Sequence, residues 1–454
     1  MKNHWVTDSI FYHIYPLGFC GAPERNNFAS APINRLENIY EWIPHLRNLK
    51  VNALYLGPLF ESTAHGYDTA NYFHVDRRLG TNEVLAKLIR ELHDNGIKVI
   101  LDGVFNHVGR DFWAFRDIQQ RGTASPFCNW FQGLDFSMPN QFGDFFCYEG
   151  WNGSFDLVKL NLHSDEVRNH LFQAIRYWVQ EFEIDGLRLD VADCLDPQFM
   201  RDLSIFCHSL NANFWLMGEV VHGDYTHWVN SNMLDSVTNY EAYKGLYSSL
   251  VDKNYFEIAY SLNRQFGQSG IYRDLTLYNF ADNHDVNRVA TSLQNPYHLY
   301  PLYCLLFTMP GVPSIYYGSE WGLEGQRTRT DDRPLRPALD LSQLQRISPQ
   351  PNLPAVIALL ASIRLGSFAL RYGDYKELLV ASEQLAFSRS TDNETVIILL
   401  NAATETSFNI PISLPNGTRF TDLLNLTDEF YVTNNHLYIS RVYHNWARIL
   451  QAKN

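Results

Sequence analysis

The 454-residue sequence has no long apolar segment, which excludes a transmembrane helix. Such a helix needs roughly 18 consecutive apolar residues, and the richest stretch, residues 302–318, is interrupted by Pro310, Gly311 and Pro313. The N-terminal residues also lack the uninterrupted apolar core of a secretory signal peptide. We therefore expect a cytoplasmic protein that does not bind a membrane.

Cysteine is scarce, and the spacing of the cysteines is not that of a zinc-binding or disulfide-rich domain. The cysteines form no Cys-x-x-Cys motif and follow no regular spacing. This argues against a structural zinc site and against a disulfide scaffold, and it fits a reducing compartment. The six cysteines are at positions 20, 128, 147, 194, 207 and 304.

Positive charge is also in short supply. The chain has 36 Lys and Arg residues against 49 Asp and Glu residues, for a formal net charge of −13. Binding of nucleic acid needs clustered Lys and Arg, so no nucleic-acid partner is expected. What the chain does have is 46% hydrophobic and 14% aromatic residues. This composition is typical of a folded protein with a large core, and some of the aromatic rings could stack against sugars or bases.

Eight short β-branched or aromatic runs alternate with segments of helical periodicity. This alternation predicts an α/β protein built on a (β/α)8 TIM barrel. Several runs are almost continuously apolar, as expected for parallel strands covered on both faces. The predicted strands begin near Ile10, Asn52, Lys98, Gly186, Phe214, Ser236, Thr276 and Val312.

Two departures from this alternation of strands and helices predict two further structural units. The third and fourth strands begin 88 residues apart, about twice the neighbouring spacing, so we expect a small inserted subdomain after the third strand. Beyond about residue 370, short apolar runs alternate with polar turns, which predicts an antiparallel β-sandwich. The predicted domains are the barrel over residues 1–106 and 157–368, the inserted subdomain over residues 107–156, and the β-sandwich over residues 369–454.

Three carboxylates follow predicted barrel strands, where catalytic groups of TIM barrels lie. They are Asp190, Glu219 and Asp285. Each alone could belong to a structural ion pair, but three at equivalent strand ends favour catalysis. Because neighbouring strands are about 4.8 Å apart, we expect Asp190 and Glu219 about 5–5.5 Å apart, the spacing of a retaining glycosidase.

Further polar residues surround these carboxylates in the sequence. Arg188 lies two residues before the first carboxylate, on the same side of the strand, where it could hold that carboxylate ionised. Asp102 and His107, at the end of the third strand, and His284, after the seventh, could hydrogen-bond sugar hydroxyls. Tyr67, after the second strand, is a candidate stacking platform, with an ordinary packed loop aromatic as the alternative.

Four segments resemble the signature segments of the α-amylase superfamily, glycoside hydrolase family 13, in the expected order and on the expected strands. They are DGVFNH at 102–107, GLRLDVAD at 186–193, GEV at 218–220 and NHD at 283–285; GYD at 66–68 and GVPSIYYG at 311–318 agree as well. The resemblance implies Asp190 as nucleophile, Glu219 as general acid/base and Asp285 as stabiliser of the transition state.

The same resemblance implies a set of sugar-binding residues. Tyr67, His107, Arg188 and His284 match residues that line the subsite for the sugar to be transferred, and Asp332 and Arg336 match a further sugar-binding pair.

Within the superfamily, LVKLN at 157–161 and SVTNYEAYKGLY at 236–247 are similar to the neopullulanase and cyclomaltodextrinase branch. The extra N-terminal domain of that branch is not expected, because Ile10 already begins the barrel. Val221 stands where that branch often has Trp, and Cys194 replaces a residue that often contacts the acceptor sugar. Linkage preference and the extent of transglycosylation are therefore left open.

These features predict a retaining glycosidase that acts on short linear or cyclic α-glucans through a covalent glycosyl-enzyme intermediate. The bonds cleaved would be α-1,4, with α-1,6 bonds open. The alternatives are a transglycosylase or disaccharide phosphorylase on the same scaffold, and a catalytically inactive barrel that serves as a binding protein. The sequence does not choose among maltooligosaccharides, cyclodextrins, pullulan and mixed-linkage rings. A small oligosaccharide is the expected partner, and the oligomeric state is left open.

No cofactor and no metal ion is expected, although many α-amylases bind calcium between the inserted subdomain and the barrel. Asn106 matches one calcium ligand of those enzymes. At the second ligand position, which those enzymes fill with Asp, this chain has Lys159, whose ammonium has no lone pair to offer a metal. Calcium is therefore predicted to be dispensable.

Overall fold

Eight parallel strands close into a barrel at the centre of the protein. In the computed structural model, which describes residues 5–426 and 428–453, each strand pairs with its neighbours in the chain. A bridge between Thr238 and Tyr278 closes the barrel between the sixth and seventh strands, so the predicted TIM barrel is confirmed. The barrel strands, first to eighth, are Phe11–Ile14, Ala53–Leu56, Lys98–Gly103, Gly186–Leu189, Trp215–Gly218, Ser236–Val237, Tyr278–Phe280 and Val312–Tyr316.

The barrel strands are buried on both faces, which explains their nearly continuous apolar sequences. In the third strand, Ile100 packs inside the barrel with Phe11 and Trp215. Val99 and Leu101 lie on the opposite face, in the layer beneath the helices. Because side chains alternate along a strand, both sets must be apolar for the strand to fit between these two layers.

Helices cover the outside of the barrel. One of them is Asn82–Asp94, where Thr81 Oγ1 accepts from the Val84 N–H at 3.4 Å and Gly96 follows with φ +75°. Both termini thus carry residue types that commonly cap helices. Among the residues that the structure describes, no helix has the length and apolarity that a membrane crossing would require. The other helices are Pro16–Phe19, Ile43–Asn48, Trp113–Arg121, Asp165–Phe182, Pro197–Leu210, Tyr240–Val251, Tyr255–Phe266, Val289–Ser292, Leu299–Thr308, Leu341–Arg346, Leu353–Gly366 and Phe368–Tyr372.

The predicted insertion after the third strand forms a small sheet beside the barrel mouth. Its strands are His107–Gly109, Gly150–Trp151 and Ser154–Lys159, the last in the middle. The sheet therefore runs three residues beyond the predicted end of the insertion at residue 156. A second hairpin, Phe60–Ser62 with Thr69–Val75, lies in the loop after the second barrel strand.

The C-terminal part is antiparallel, as predicted. Strand Glu394–Asn401 is buried along its whole length. Ile397 and Leu399 pack inside the β-sandwich, whereas Ile398 and Leu400 pack on the barrel side. The predicted boundary at residue 369 falls inside helix Phe368–Tyr372. The strands are Asp374–Val380, Gln384–Thr391, Glu394–Asn401, Thr406–Pro411, Arg419–Asp422, Glu429–Thr433, His436–Val442 and Trp446–Lys453.

Candidate active site

Three carboxylates meet at the C-terminal mouth of the barrel. Asp190 directly follows the fourth strand, Glu219 directly follows the fifth, and Asp285 lies five residues beyond the seventh. All three line one cavity of about 680 Å³. Asp190 and Glu219 are only 6% and 7% exposed, so their charges are largely withdrawn from water and need partners.

The buried guanidinium of Arg188 binds two of these carboxylates and, in addition, that of Asp102. Arg188 Nη1 lies 2.9 Å from Asp102 Oδ1 and 3.0 Å from Asp190 Oδ1, and its Nη2 lies 2.8 Å from Glu219 Oε1. Because side chains alternate along a strand, the sequence alone predicts the contact of Arg188 with Asp190. Asp102 and Glu219 instead lie at the ends of the two neighbouring strands. Burial lowers the pKa of Arg188, but the surrounding negative charge outweighs burial and holds that pKa well above its ordinary value.

The surroundings of Asp190 and Glu219 favour a proton shared by the pair. Burial raises the pKa of Asp190 well above its ordinary value, and the negative charge of Glu219 raises it further. Burial also raises the pKa of Glu219. Arg188 opposes both shifts, but one guanidinium does not compensate three close carboxylates. The Asp190–Glu219 pair therefore retains a proton to higher pH than two free carboxyl groups would.

Asp285, in contrast, is held ionised. Its Oδ2 lies 2.9 Å from His284 Nε2 and its Oδ1 lies 3.1 Å from Arg336 Nη2. Burial raises the pKa of Asp285, but His284, Arg336 and Arg188 together outweigh burial and hold this pKa well below its usual range. The site thus contains one fixed negative charge beside a pair that can exchange a proton.

Two polar residues that the sequence analysis missed orient Glu219. The Tyr240 hydroxyl donates to Glu219 Oε1 at 3.3 Å, and the Asn283 side-chain amide donates to the Tyr240 oxygen at 3.0 Å. Both lie in segments on which the family resemblance rests. Tyr240 lies three residues after the sixth strand, and Asn283 is the first residue of NHD. Their place beside a strand end is the signal that could have identified them.

The floor of the site is a layer of hydrogen-bonded rings and carboxylates. The Tyr67 hydroxyl donates to Asp102 Oδ2 at 3.1 Å and contacts His284 Nε2, and the Tyr55 hydroxyl donates to the same Asp102 oxygen at 2.8 Å. The Tyr67 and His284 rings are stacked with centroids 5.5 Å apart. Tyr67 lines the cavity, and Asp102, Arg188 and His284 are buried close to it. Their contacts with a substrate stay a prediction.

The remaining predicted residues form the cavity walls. His107 Nε2 lies 3.8 Å from Asp190 Oδ2, and burial lowers the pKa of His107 to about 3, so its ring is neutral. Arg336 Nη2 lies 2.7 Å from Asp332 Oδ2, and Arg336 Nε donates to the His284 carbonyl at 3.0 Å. Asp332 and Arg336 are therefore fixed on the same wall as Asp285.

The residues at the calcium position of many α-amylases do not suit a calcium ion in this chain. Lys159 Nζ lies 2.6 Å from Glu149 Oε1, which places an ammonium where a metal ligand would be needed. The Asn106 side-chain amide contacts His107 Nδ1 at 3.2 Å. Among residues 5–426 and 428–453 there is no group of three or more His, Cys, Asp or Glu side chains placed to hold a metal. The dispensability of calcium stays a prediction.

Comparison with known proteins identifies the family of this chain. The family described as "Alpha amylase, catalytic domain" matches residues 13–349. This chain belongs to the α-amylase family. It is 31% identical over 420 residues to a cyclomaltodextrinase from Bacillus sp, with 87% of this chain and 73% of that protein covered.

Solved structures of similar proteins match along nearly the whole chain. A cyclomaltodextrinase structure gives a TM-score of 0.86 at 27% identity, over 99% of this chain and 78% of that one. The ligand-free structure of cyclic alpha-maltosyl-(1→6)-maltose hydrolase from Arthrobacter globiformis gives a TM-score of 0.81 at 25% identity, over 98% of this chain and 99% of that one. The prediction of an α-amylase-family glycosidase is confirmed.

Proposed function

We propose that this α-amylase-family chain is a retaining glycoside hydrolase that cleaves α-1,4 bonds in short linear or cyclic α-glucans, with α-1,6 bonds as the second candidate linkage. The observation that carries the proposal is the contact of one guanidinium, Arg188, with both Asp190 and Glu219. The two nitrogens of a guanidinium fork are only a few ångströms apart, so both carboxyl groups face one cavity, which supports the close pairing expected of a retaining glycosidase. The names of two relatives, a cyclomaltodextrinase and a cyclic alpha-maltosyl-(1→6)-maltose hydrolase, support cyclic α-glucans as substrates.

In the first step, a carboxylate oxygen of Asp190 attacks the anomeric carbon and the glycosidic C–O bond breaks. The departing oxygen takes the proton held by Glu219, so the leaving sugar departs as a neutral alcohol. Asp190 can act as the nucleophile when the proton of the pair resides on Glu219, and Arg188, 3.0 Å from Asp190 Oδ1, favours this arrangement because it opposes the effect of burial on the pKa of Asp190.

In the second step, a water molecule gives a proton to the Glu219 carboxylate, and the oxygen of this water attacks the anomeric carbon. The bond to Asp190 breaks, which regenerates the carboxylate and releases the sugar with its original α configuration. The two displacements restore both the shared proton and the starting charges.

Asp285 supports both steps through its fixed negative charge. The transition state carries positive charge on the sugar ring, and Asp285 stays ionised because His284 and Arg336 bind its two oxygens. Preorganised charge of this kind costs no reorganisation at the moment of reaction.

The proposal is tested by incubating the enzyme with maltooligosaccharides, cyclodextrins, pullulan and a mixed α-1,4/α-1,6 cyclic tetrasaccharide, and by following the first-formed anomer by 1H NMR. We expect α-anomeric products from at least one linear and one cyclic substrate. A β product, or no cleavage of any of these glucans, would contradict the proposal.

A further inference from the structure

We propose that His13 is a positioning residue of the active site, whose ring holds His284 in the orientation in which His284 binds Asp285. The inference rests on the proposed function, because it explains how the fixed negative charge of that reaction is kept in place. His13 belongs to the first barrel strand, Phe11–Ile14, and lies in none of the segments on which the family resemblance rests.

His13 lies inside the barrel, next to the polar layer that forms the floor of the site. It follows Phe11 by two residues, and Phe11 packs in the barrel interior with Ile100. Because side chains alternate along a strand, the His13 side chain points into the same interior, where it is buried. The described lining of the cavity does not include His13, so His13 acts on a substrate only through other residues.

The His13 ring packs on two tyrosines of the neighbouring barrel strands. The strand register pairs His13 with Tyr55 on one side and with Tyr316 on the other. The Tyr55 ring is stacked on His13 with centroids 4.1 Å apart, and the Tyr316 ring is tilted at 4.9 Å. The Tyr55 hydroxyl in turn donates to Asp102 at 2.8 Å. His13 is therefore seated on a ring that a hydrogen bond already fixes.

His13 also contacts the ring of His284, at a right angle. The two centroids are 5.2 Å apart and the planes are inclined by 89°, an arrangement that aromatic pairs favour. The rings of Tyr67 and Tyr15 instead lie nearly parallel to His284, at 5.5 and 5.8 Å. Rings in two orientations therefore surround His284, so a turn or a shift of its ring would meet one of them.

Hydrogen bonds alone do not fix the His284 ring. Its Nε2 lies 2.9 Å from Asp285 Oδ2 and contacts the Tyr67 hydroxyl. Its Nδ1 is buried and has no hydrogen-bond partner among residues 5–426 and 428–453. A functional histidine is commonly oriented by the hydrogen bond that its second nitrogen makes. Because the described residues provide no such bond for His284, the packing of His13 and the other neighbouring rings has to supply the orientation.

The charge of His13 suits this place. Burial lowers the pKa of His13 well below its ordinary value, and the positive charges of His284 and Arg188 lower it further. The negative charge of Asp285 opposes these shifts without reversing them, so the His13 ring is neutral. A neutral ring does not compete with His284 and Arg336 for Asp285, and it can therefore pack beside His284 without weakening the ion pairs that hold Asp285 ionised.

The test measures the placement of Asp285 separately from turnover. The glucose analogue 1-deoxynojirimycin carries a protonated amine that an aligned carboxylate attracts, whereas glucose is neutral. We expect His13→Ala to lower the ratio of the affinity for 1-deoxynojirimycin to the affinity for glucose about tenfold, measured by isothermal titration calorimetry. His13→Phe keeps a flat ring between Tyr55 and His284 and should recover most of the ratio. An unchanged ratio in His13→Ala would overturn the proposal.

A second measurement separates positioning from stability. Because Asp285 acts in the transition state, kcat on maltotetraose should fall about tenfold in His13→Ala while KM changes less than about twofold. A lower melting temperature with unchanged kcat would show a structural role only and overturn the proposal. His13→Leu, which fills the space without a flat ring, replaces His13→Ala if that variant does not fold, with the same expected losses. His170→Ala is the control: it removes another neutral ring, whose pKa burial lowers to about 4, from outside the cavity, and should change neither readout.

Failure of the proposed function gives a different result. In that case the unmodified enzyme would cleave no α-glucan and would bind neither ligand, so the role of His13 would fall with the proposed function. An active enzyme whose binding ratio and kcat are insensitive to His13 would overturn the positioning role alone.

Discussion

The backbone N–H of Val191 donates to Glu219 Oε2 across 3.1 Å, so the residue next to Asp190 in the chain also holds the second carboxylate of the pair. Val191 has φ of +41°, a left-handed conformation that β-branched residues rarely adopt. Strain of this kind persists only where the surrounding structure imposes it. The turn that carries Asp190 thus fixes the position of both groups of the proposed mechanism.

Replacing the nucleophile should stop the covalent step. Asp190→Asn keeps the size of the side chain but removes its negative charge, so we expect kcat on maltotetraose to fall by at least about 10³-fold. The melting temperature checks that the variant is folded. Asp252→Asn, at an exposed position outside the cavity, should keep full activity. Near-normal turnover by Asp190→Asn would place the nucleophile elsewhere.

Replacing the proton donor should discriminate between leaving groups. Glu219→Gln cannot protonate the departing oxygen, so activity on maltotetraose should fall by about 10²–10⁴-fold. With an activated aryl α-glucoside, whose leaving group needs no proton, the loss in the first step should be much smaller. Initial rates on the two substrates measure the difference. Equal losses on both would rule out this role for Glu219.

The pH dependence of kcat/KM should report the shared proton. Activity requires one proton on the Asp190–Glu219 pair, so kcat/KM falls when rising pH removes it. Because burial raises the pKa of Glu219, this basic limb should lie above the range of an ordinary glutamic acid, about 4.3. In Glu219→Gln the limb should disappear when an activated substrate is used. A basic limb that persists unchanged in that variant would point to another group.

Removal of calcium should have no effect. The Lys159 ammonium bound to Glu149 stands where a calcium ligand would be required, so exhaustive dialysis against EDTA should leave both the specific activity and the melting temperature unchanged. A calcium-dependent amylase treated in parallel confirms that the chelation works. A large loss that added calcium restores would show that this chain binds the metal through other oxygens.

The barrel was predictable because its strands carry the signal in their own sequences. Runs such as the third strand, Lys98–Gly103, are apolar on both faces, and the structure places all eight strands within two residues of their predicted starts. Positions at the strand ends follow from the same periodicity. This is why the sequence alone places Asp190 and Glu219 at one mouth of the barrel.

Contacts between distant segments were not predictable in the same way. The sequence predicts that Arg188 meets Asp190, since the two share a strand face, but its contacts with Asp102 and Glu219 depend on the stagger of neighbouring strands. The Lys159–Glu149 pair depends on the register of a short hairpin. The stagger between parallel strands leaves no local pattern in the sequence, whereas the register of this hairpin follows from its Asn152-Gly153 turn.

Strand Glu394–Asn401 belongs to two cores at once, so the β-sandwich is not a detachable module. In a chain cut after Tyr372, the barrel would lose the cover that Val396, Ile398 and Leu400 provide. Burial of each of these side chains stabilises the folded state by roughly 1.5–3 kcal/mol. Exchange of the C-terminal part for that of another protein would therefore succeed only if the incoming strand brought the same apolar face toward the barrel.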